Sequence, residues 1–152
     1  HSAGETEQIA ADFATGLNDL VHPEYTVLDP VTHDMDSLNT RYNPCFSDFY
    51  RAMTGDLDRF QQDRTRTVSR ENSILLSCVP WFSYTDVSFH PKSSLMFLRP
   101  MFLWGKYQGS GDEITLPFTL QVHHAAADGY HCHLLLSELE ELLRCPHQWG
   151  SR

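Results

Sequence analysis

The sequence predicts an α+β, two-layer fold: a mixed, mostly antiparallel sheet with helices on one face. Two observations lead there. Short apolar runs bounded by turn residues recur through the second half, at 74–79 (ILLSCV), at 101–107 (MFLWGKY) and at 113–122. Two longer stretches, around Phe46–Phe60 and Cys132–Leu143, instead carry apolar residues at steps of three and four, the period of an amphipathic helix. The last half therefore reads as strands, a hairpin, a further strand, a turn and a helix. With the central helix, that pattern suits helices laid against one side of a sheet.

The chain has 152 residues, the length of one domain. We expect residues 1–20 to be an N-terminal segment of uncertain structure, 21–144 the domain proper and 145–152 a tail. Within 1–20, Ile9, Ala10, Phe13 and Leu17 have rough helical spacing before a turn at Asn18-Asp19. Glu24–Asp29 (EYTVLD) has the β-branched and aromatic content of a strand, stopped by Pro30. Residues 30–45 read as a polar loop broken at Asn43-Pro44. A helix follows, with Phe46, Phe49, Tyr50, Met53, Leu57 and Phe60 on one face, reaching about Asp63. The basic stretch at 63–73 reads as a solvated loop. Ile74–Val79 is nearly continuous in apolar residues, the pattern of a strand buried on both faces. Ser77 interrupts it. Phe82, Tyr84 and Phe89 suggest another strand, Pro91–Ser94 a turn and Leu95–Leu98 a helical turn. Met101–Tyr107 is a strand, turned at Gly109–Asp112 into the alternating strand Glu113–Val122. Pro117 cannot donate to a ladder, which puts it at an edge or bulge. Last comes a helix over Tyr130–Leu143, its stripe made by Cys132, Leu135, Leu136, Leu139, Leu142 and Leu143, with Asp128 placed to cap it.

The formal charge is −9, from 11 Lys+Arg against 20 Asp+Glu, and lysine occurs only at 92 and 106. A nucleic-acid partner needs a basic face, so that class is disfavoured. The four cysteines, Cys45, Cys78, Cys132 and Cys145, lack CxxC spacing and secreted-scaffold density. Reduced thiols and a cytoplasmic location are the simple expectation, with Cys78 and Cys132 as small core residues. No apolar run is long enough to span a bilayer and no signal peptide is visible, so no membrane association is expected. The chain begins with His, as a fragment would.

Chemistry concentrates where the last strand runs into QVHHAAADGYH at 121–131. Four readings of it compete. His123 and His124 could be merely hydrogen-bonded at a strand end. His124, Asp128 and His131 could share a metal, but the Asp-Gly turn breaks that geometry and no zinc motif matches. His124 could be a general base, with Ala125, Ala126 and Ala127 leaving room for substrate, Asp128 holding the loop and a serine hydroxyl serving the oxyanion. Cys132 could be a nucleophile, although the periodicity puts it on the core stripe. Spacing alone leaves these open.

The wider pattern resembles the chloramphenicol acetyltransferase family. The resemblance rests on QVHHAAADGYH together with VHPEYTV at 21–27, SCVPWFSYT at 77–85, RPMFLWGKY at 99–107 and the LPFTLQVHH strand at 116–124, and covers about Leu20–Leu143. Residues 1–20 do not share it. It implies an O-acetyltransferase that moves acetyl from acetyl-CoA, its co-substrate, to a hydroxyl of a small acceptor such as chloramphenicol, without a metal. It also implies a homotrimer with active sites between subunits. On that likeness His124 is the general base, Ser77 the oxyanion donor and Asp128 a structural support of the loop. Thr26, Met35, Val87, Phe89 and Met101 fall at acceptor-pocket positions, and Trp81 and Tyr107 lie near the CoA side. Three departures accompany it. Leu103 stands where the family has a threonine, and Met35 replaces a phenylalanine. Roughly the first third of a family chain, with the arginine that pairs with the motif aspartate, has no counterpart here, which would leave Asp128 without its usual partner. The rival expectation is a degenerate relative that binds ligand or assembles without chemistry.

Overall fold

A computed structural model describes residues 20–68, 72–88, 99–111 and 113–145. The expectations for 1–19, for Phe89, for the turn at 91–94, for the helical turn at 95–98 and for the tail beyond Cys145 lie outside the described residues. Five strands and two helices follow in the order β1 (His22–Leu28), β2 (Met35–Asn39), α1 (Phe46–Asp63), β3 (Ser73–Val79), β4 (Met101–Gly105), β5 (Phe118–Gln121) and α2 (Gly129–Arg144). The strands form one mixed sheet in the order β2-β1-β3-β4-β5. Its edge pairings, β1 with β2 and β4 with β5, are antiparallel. The central ones, β1 with β3 and β3 with β4, are parallel.

Helix α1 forms where its stripe predicts, and its last turn closes on Arg64, whose left-handed backbone (φ 60°) lets its N–H donate to the Phe60 carbonyl at 2.9 Å. Met53, Leu57 and Phe60 pack on Tyr25, Val27, Leu38 and Leu76, and this is the core among the described residues. A polar chain crosses the same contact: the Tyr25 hydroxyl lies 2.8 Å from Thr40 Oγ1, which donates to Asp56 of α1 at 2.6 Å. Burial pushes the Tyr25 hydroxyl pKa above its ordinary value. Toward the first turns of α1 the packing opens into a cavity of about 600 Å³, lined by Pro23, Phe46, Phe49, Leu76, Cys78 and Trp104 among others.

Several expectations need correction. The polar loop at 30–45 contains strand β2, paired through Leu28↔Met35, Thr26↔Ser37 and Glu24↔Asn39. An edge strand needs one apolar face at most, and Leu38 alone supplies it. Residues 82–88 are irregular, not a strand. The alternating run at 113–122 pairs as a strand only over Phe118–Gln121, with a single bridge from Gln108 to Thr115 upstream. Pro117 lies between them, and its carbonyl accepts from the Gly105 N–H at 3.0 Å. The basic stretch is the exposed loop expected of it over its described residues 64–68, with Arg64 paired to Asp29 (3.5 Å) and Arg66 to Asp36 (2.5 Å) at the surface.

Burial differs too. Strand β3 is half-buried over Ile74–Val79; among the described residues, α1 packs on its Leu76 face. Cys78 and Cys132 are half-buried, and all four cysteines are free thiols. Helix α2 has its predicted stripe, but Leu135, Leu136, Leu142 and Leu143 remain exposed in this single chain.

Candidate functional site

Side chains alternate across a strand, so the registers assign every strand residue to one face of the sheet. Tyr25, Leu38, Leu76 and Trp104 fall on the face toward α1. Met35, Thr26, Ser77, Met101 and Leu103 fall on the other. Five of the residues singled out from sequence are thereby placed on one surface, and two touch: Thr26 Oγ1 lies 3.0 Å from Ser77 Oγ. Leu103 pairs directly with Ser77 from the opposite side and is 4 % exposed.

Two clusters on this face escape a reading of the sequence alone. Tyr84 lies over β4 and β5 and donates its phenol proton to the Leu103 carbonyl at 2.9 Å. Its oxygen then accepts from Thr119 at 3.1 Å. Toward the start of the strands, Arg99 Nη1 binds Glu24 (2.8 Å) and Ser73 (2.5 Å), while Ser37 donates to the same Glu24 at 3.2 Å. The Glu24–Arg99 pair links residues 75 positions apart, and nothing in local patterning foretells it. The only sequence signal was a set of polar residues at alternate positions of otherwise apolar strands.

The two adjacent histidines have distinct surroundings. After β5 the chain turns at His124–Ala126. The His123 carbonyl accepts from Ala126 N (2.8 Å) and Ala127 N (3.1 Å), and His123 Nδ1 accepts from Ala125 N (3.1 Å). The satisfied, structural reading therefore fits His123. His124 is exposed on this turn, and among the described residues no hydrogen bond joins it to Ser77 or Asp128. Its strand is two places from β3 in the sheet, about 10 Å at ordinary strand spacing.

Asp128 is the N-cap of α2. Its Oδ1 accepts from Tyr130 N (3.0 Å) and His131 N (3.1 Å), and His131 Nδ1 lies 2.7 Å from it. The helix that Asp128 starts supplies these partners, none of which is the arginine of the family pattern. The His131 backbone N–H, then the His131 ring, hold its carboxyl below the usual carboxylate range. No group of three His, Cys, Asp or Glu able to hold a metal occurs among the described residues. No helix there is long and apolar enough to cross a membrane.

Trp81 and Tyr107 are both exposed, at 58 % and 63 %. Their loops are laced together by the Lys106 N–H, which donates to the Phe82 carbonyl at 2.9 Å. Val87 is half-buried in the irregular segment after Tyr84.

A family model described as chloramphenicol acetyltransferase matches residues 8–140. The chain belongs to the chloramphenicol acetyltransferase family. That span starts ahead of Leu20, so residues 8–20, which carry none of the recognisable motifs, are part of it. A chloramphenicol acetyltransferase of Staphylococcus aureus is 32 % identical over 143 residues, covering 87 % of this chain and 68 % of its own length. One from Bacillus pumilus is 29 % identical, with coverages of 88 % and 62 %. One from Klebsiella sp is 33 % identical, with coverages of 81 % and 57 %. A solved chloramphenicol acetyltransferase chain superposes with a TM-score of 0.68 at 19 % identity, covering 84 % of this chain and 63 % of that one. This chain thus spans about two thirds of the length of the chloramphenicol acetyltransferases it matches.

Proposed function

We propose that this chain carries the catalytic elements of an O-acetyltransferase that moves acetyl from acetyl-CoA to a hydroxyl of chloramphenicol or a similar small molecule. The observation that carries the reading is the His124 turn of a chloramphenicol acetyltransferase family chain: an exposed imidazole beside three alanines, held by hydrogen bonds to its neighbour rather than to itself. An imidazole so placed can take the acceptor's hydroxyl proton near neutral pH. The acceptor oxygen then bonds to the thioester carbonyl carbon. As the tetrahedral intermediate collapses, the C–S bond breaks and the proton passes to the departing CoA sulfur. Ser77 donates to the carbonyl oxygen while it carries negative charge. Asp128 fixes the start of α2 and so the far end of the turn.

Thr26, Met35 and Met101 form the acceptor wall on the Ser77 face, with Val87 beside them; Phe89 is assigned to the acceptor by the family likeness alone. Trp81 and Tyr107, on their laced loops, flank the acetyl-CoA side. The two strand spacings between β5 and β3 favour a site in which His124 of one copy meets the Ser77 face of another, as in a homotrimer. A cytoplasmic enzyme with no metal, membrane or nucleic-acid partner fits this chemistry.

Thiol release from acetyl-CoA with chloramphenicol as acceptor tests the proposal. We expect His124→Ala to abolish turnover with an unchanged far-UV circular dichroism spectrum; retained turnover would overturn the base assignment. Ser77→Ala should lower kcat by about 10²–10³-fold, the usual loss for one oxyanion donor. A folded parent chain that binds ligand yet releases no thiol would point instead to a degenerate binding relative.

A further inference from the structure

Ser77 sits in β3 between two unlike neighbours. On the β4 side is Leu103, buried and with a side chain that has no hydrogen-bonding group. On the β1 side is Thr26, with its hydroxyl 3.0 Å away. The parallel register, which pairs Tyr25 with Leu76, brings Thr26 level with Ser77 on the same face. A hydroxyl has one proton and two acceptor lone pairs. For Ser77 to give its proton to an oxyanion it cannot also give it to Thr26, so the shared hydrogen bond must run from Thr26 to Ser77. Threonine suits that task because its branched side chain holds few χ1 rotamers. A hydroxyl that accepts one hydrogen bond is also polarised into a better donor of the next.

We propose that Thr26 is a positioning residue: it donates its hydroxyl proton to Ser77 Oγ and thereby aims the Ser77 proton at the oxygen of the tetrahedral intermediate. This rests on the oxyanion role given to Ser77 above. It turns Thr26 from a wall of the acceptor pocket into the orienting partner of Ser77, on the side away from Leu103.

The test uses the full chain, acetyl-CoA and chloramphenicol, and a double-mutant cycle. Thr26→Val keeps the branched shape and removes the hydroxyl; Thr26→Ser removes only the methyl. We expect Thr26→Val to lower kcat about tenfold, the scale of one hydrogen bond, with KM for both substrates within about twofold. Thr26→Ser should recover most of kcat. In a Ser77→Ala background the valine substitution should change kcat by less than about twofold, because its partner is already gone. If the valine variant melts early, Thr26→Ala enters the same cycle with the same expectations. Undiminished kcat in Thr26→Val, a tenfold loss that persists without Ser77, or a rise in KM alone would each overturn the positioning role. If Ser77→Ala itself keeps full kcat, the oxyanion assignment falls first, and Thr26 with it.

Discussion

Adjacent imidazoles at 123 and 124 divide their work. His123 spends its carbonyl and Nδ1 on the backbone of the three alanines, while His124 is left at the surface of the turn. We expect His123→Ala to loosen the turn and slow transfer without abolishing it, in contrast to His124→Ala; steady-state thiol release separates the two. The pair was legible as a place of chemistry, because a polar doublet ending an apolar strand is conspicuous. Spacing left open which member is structural, since that depends on where each ring points; only the family resemblance singled out His124. Ser77 shows the same limit. Composition makes it one hydroxyl in an apolar run, and its contact with Thr26 spans 51 positions of sequence. Burial was easier to read: Phe60, last on the α1 stripe, is fully buried. Phe60→Ala should cost about 3–5 kcal/mol, the range for emptying a buried aromatic site, measured by urea denaturation.

Among the elements, both helices announced themselves through a 3.6-residue period, which depends only on the helix's own residues. Strand β2 did not, since MDSLN gains its conformation from pairing with β1 rather than from its content. Helix α2 owes its start to Asp128, whose carboxylate is favoured in the fold by the His131 and Tyr130 N–H groups. A carboxyl whose pKa is lowered on folding lends stability above its ordinary value, near 3.9, and loses it as pH falls through the lower folded value. Helicity at 222 nm should therefore fall on acidification through that window. Asp128→Asn, which retains a capping oxygen but no charge, should flatten the dependence. At the other edge, a Cβ on Gly105 would meet Pro117 Cγ at 2.8 Å and the Tyr84 ring at 3.0 Å. Gly105→Ala should displace Tyr84 from Leu103 and Thr119 and cost about 1–3 kcal/mol, read by denaturant unfolding followed by tyrosine fluorescence.

Across the whole molecule, the mixed sheet was legible from the count and kind of its segments. Its strand order was not, because periodicity says which face a residue takes and not which strand lies beside it. The sheet divides the molecule into a helix-covered face and one that gathers Thr26, Ser77, Met101 and Leu103. If that second face meets His124 of another copy, sedimentation equilibrium should show trimers, and thiol release per chain should fall on dilution below their dissociation. The centre of the sheet also has a temporal meaning. Tyr25, Val27, Leu38 and Phe60 lie within the first part of the chain, so β1, β2 and α1 can gather as soon as they leave the ribosome. Strand β3 can join β1 only after α1 has crossed over, and β5, with His124 behind it, is the last of the five strands to be made. A nascent chain stalled before residue 118 would already own a hydrophobic nucleus yet lack the imidazole.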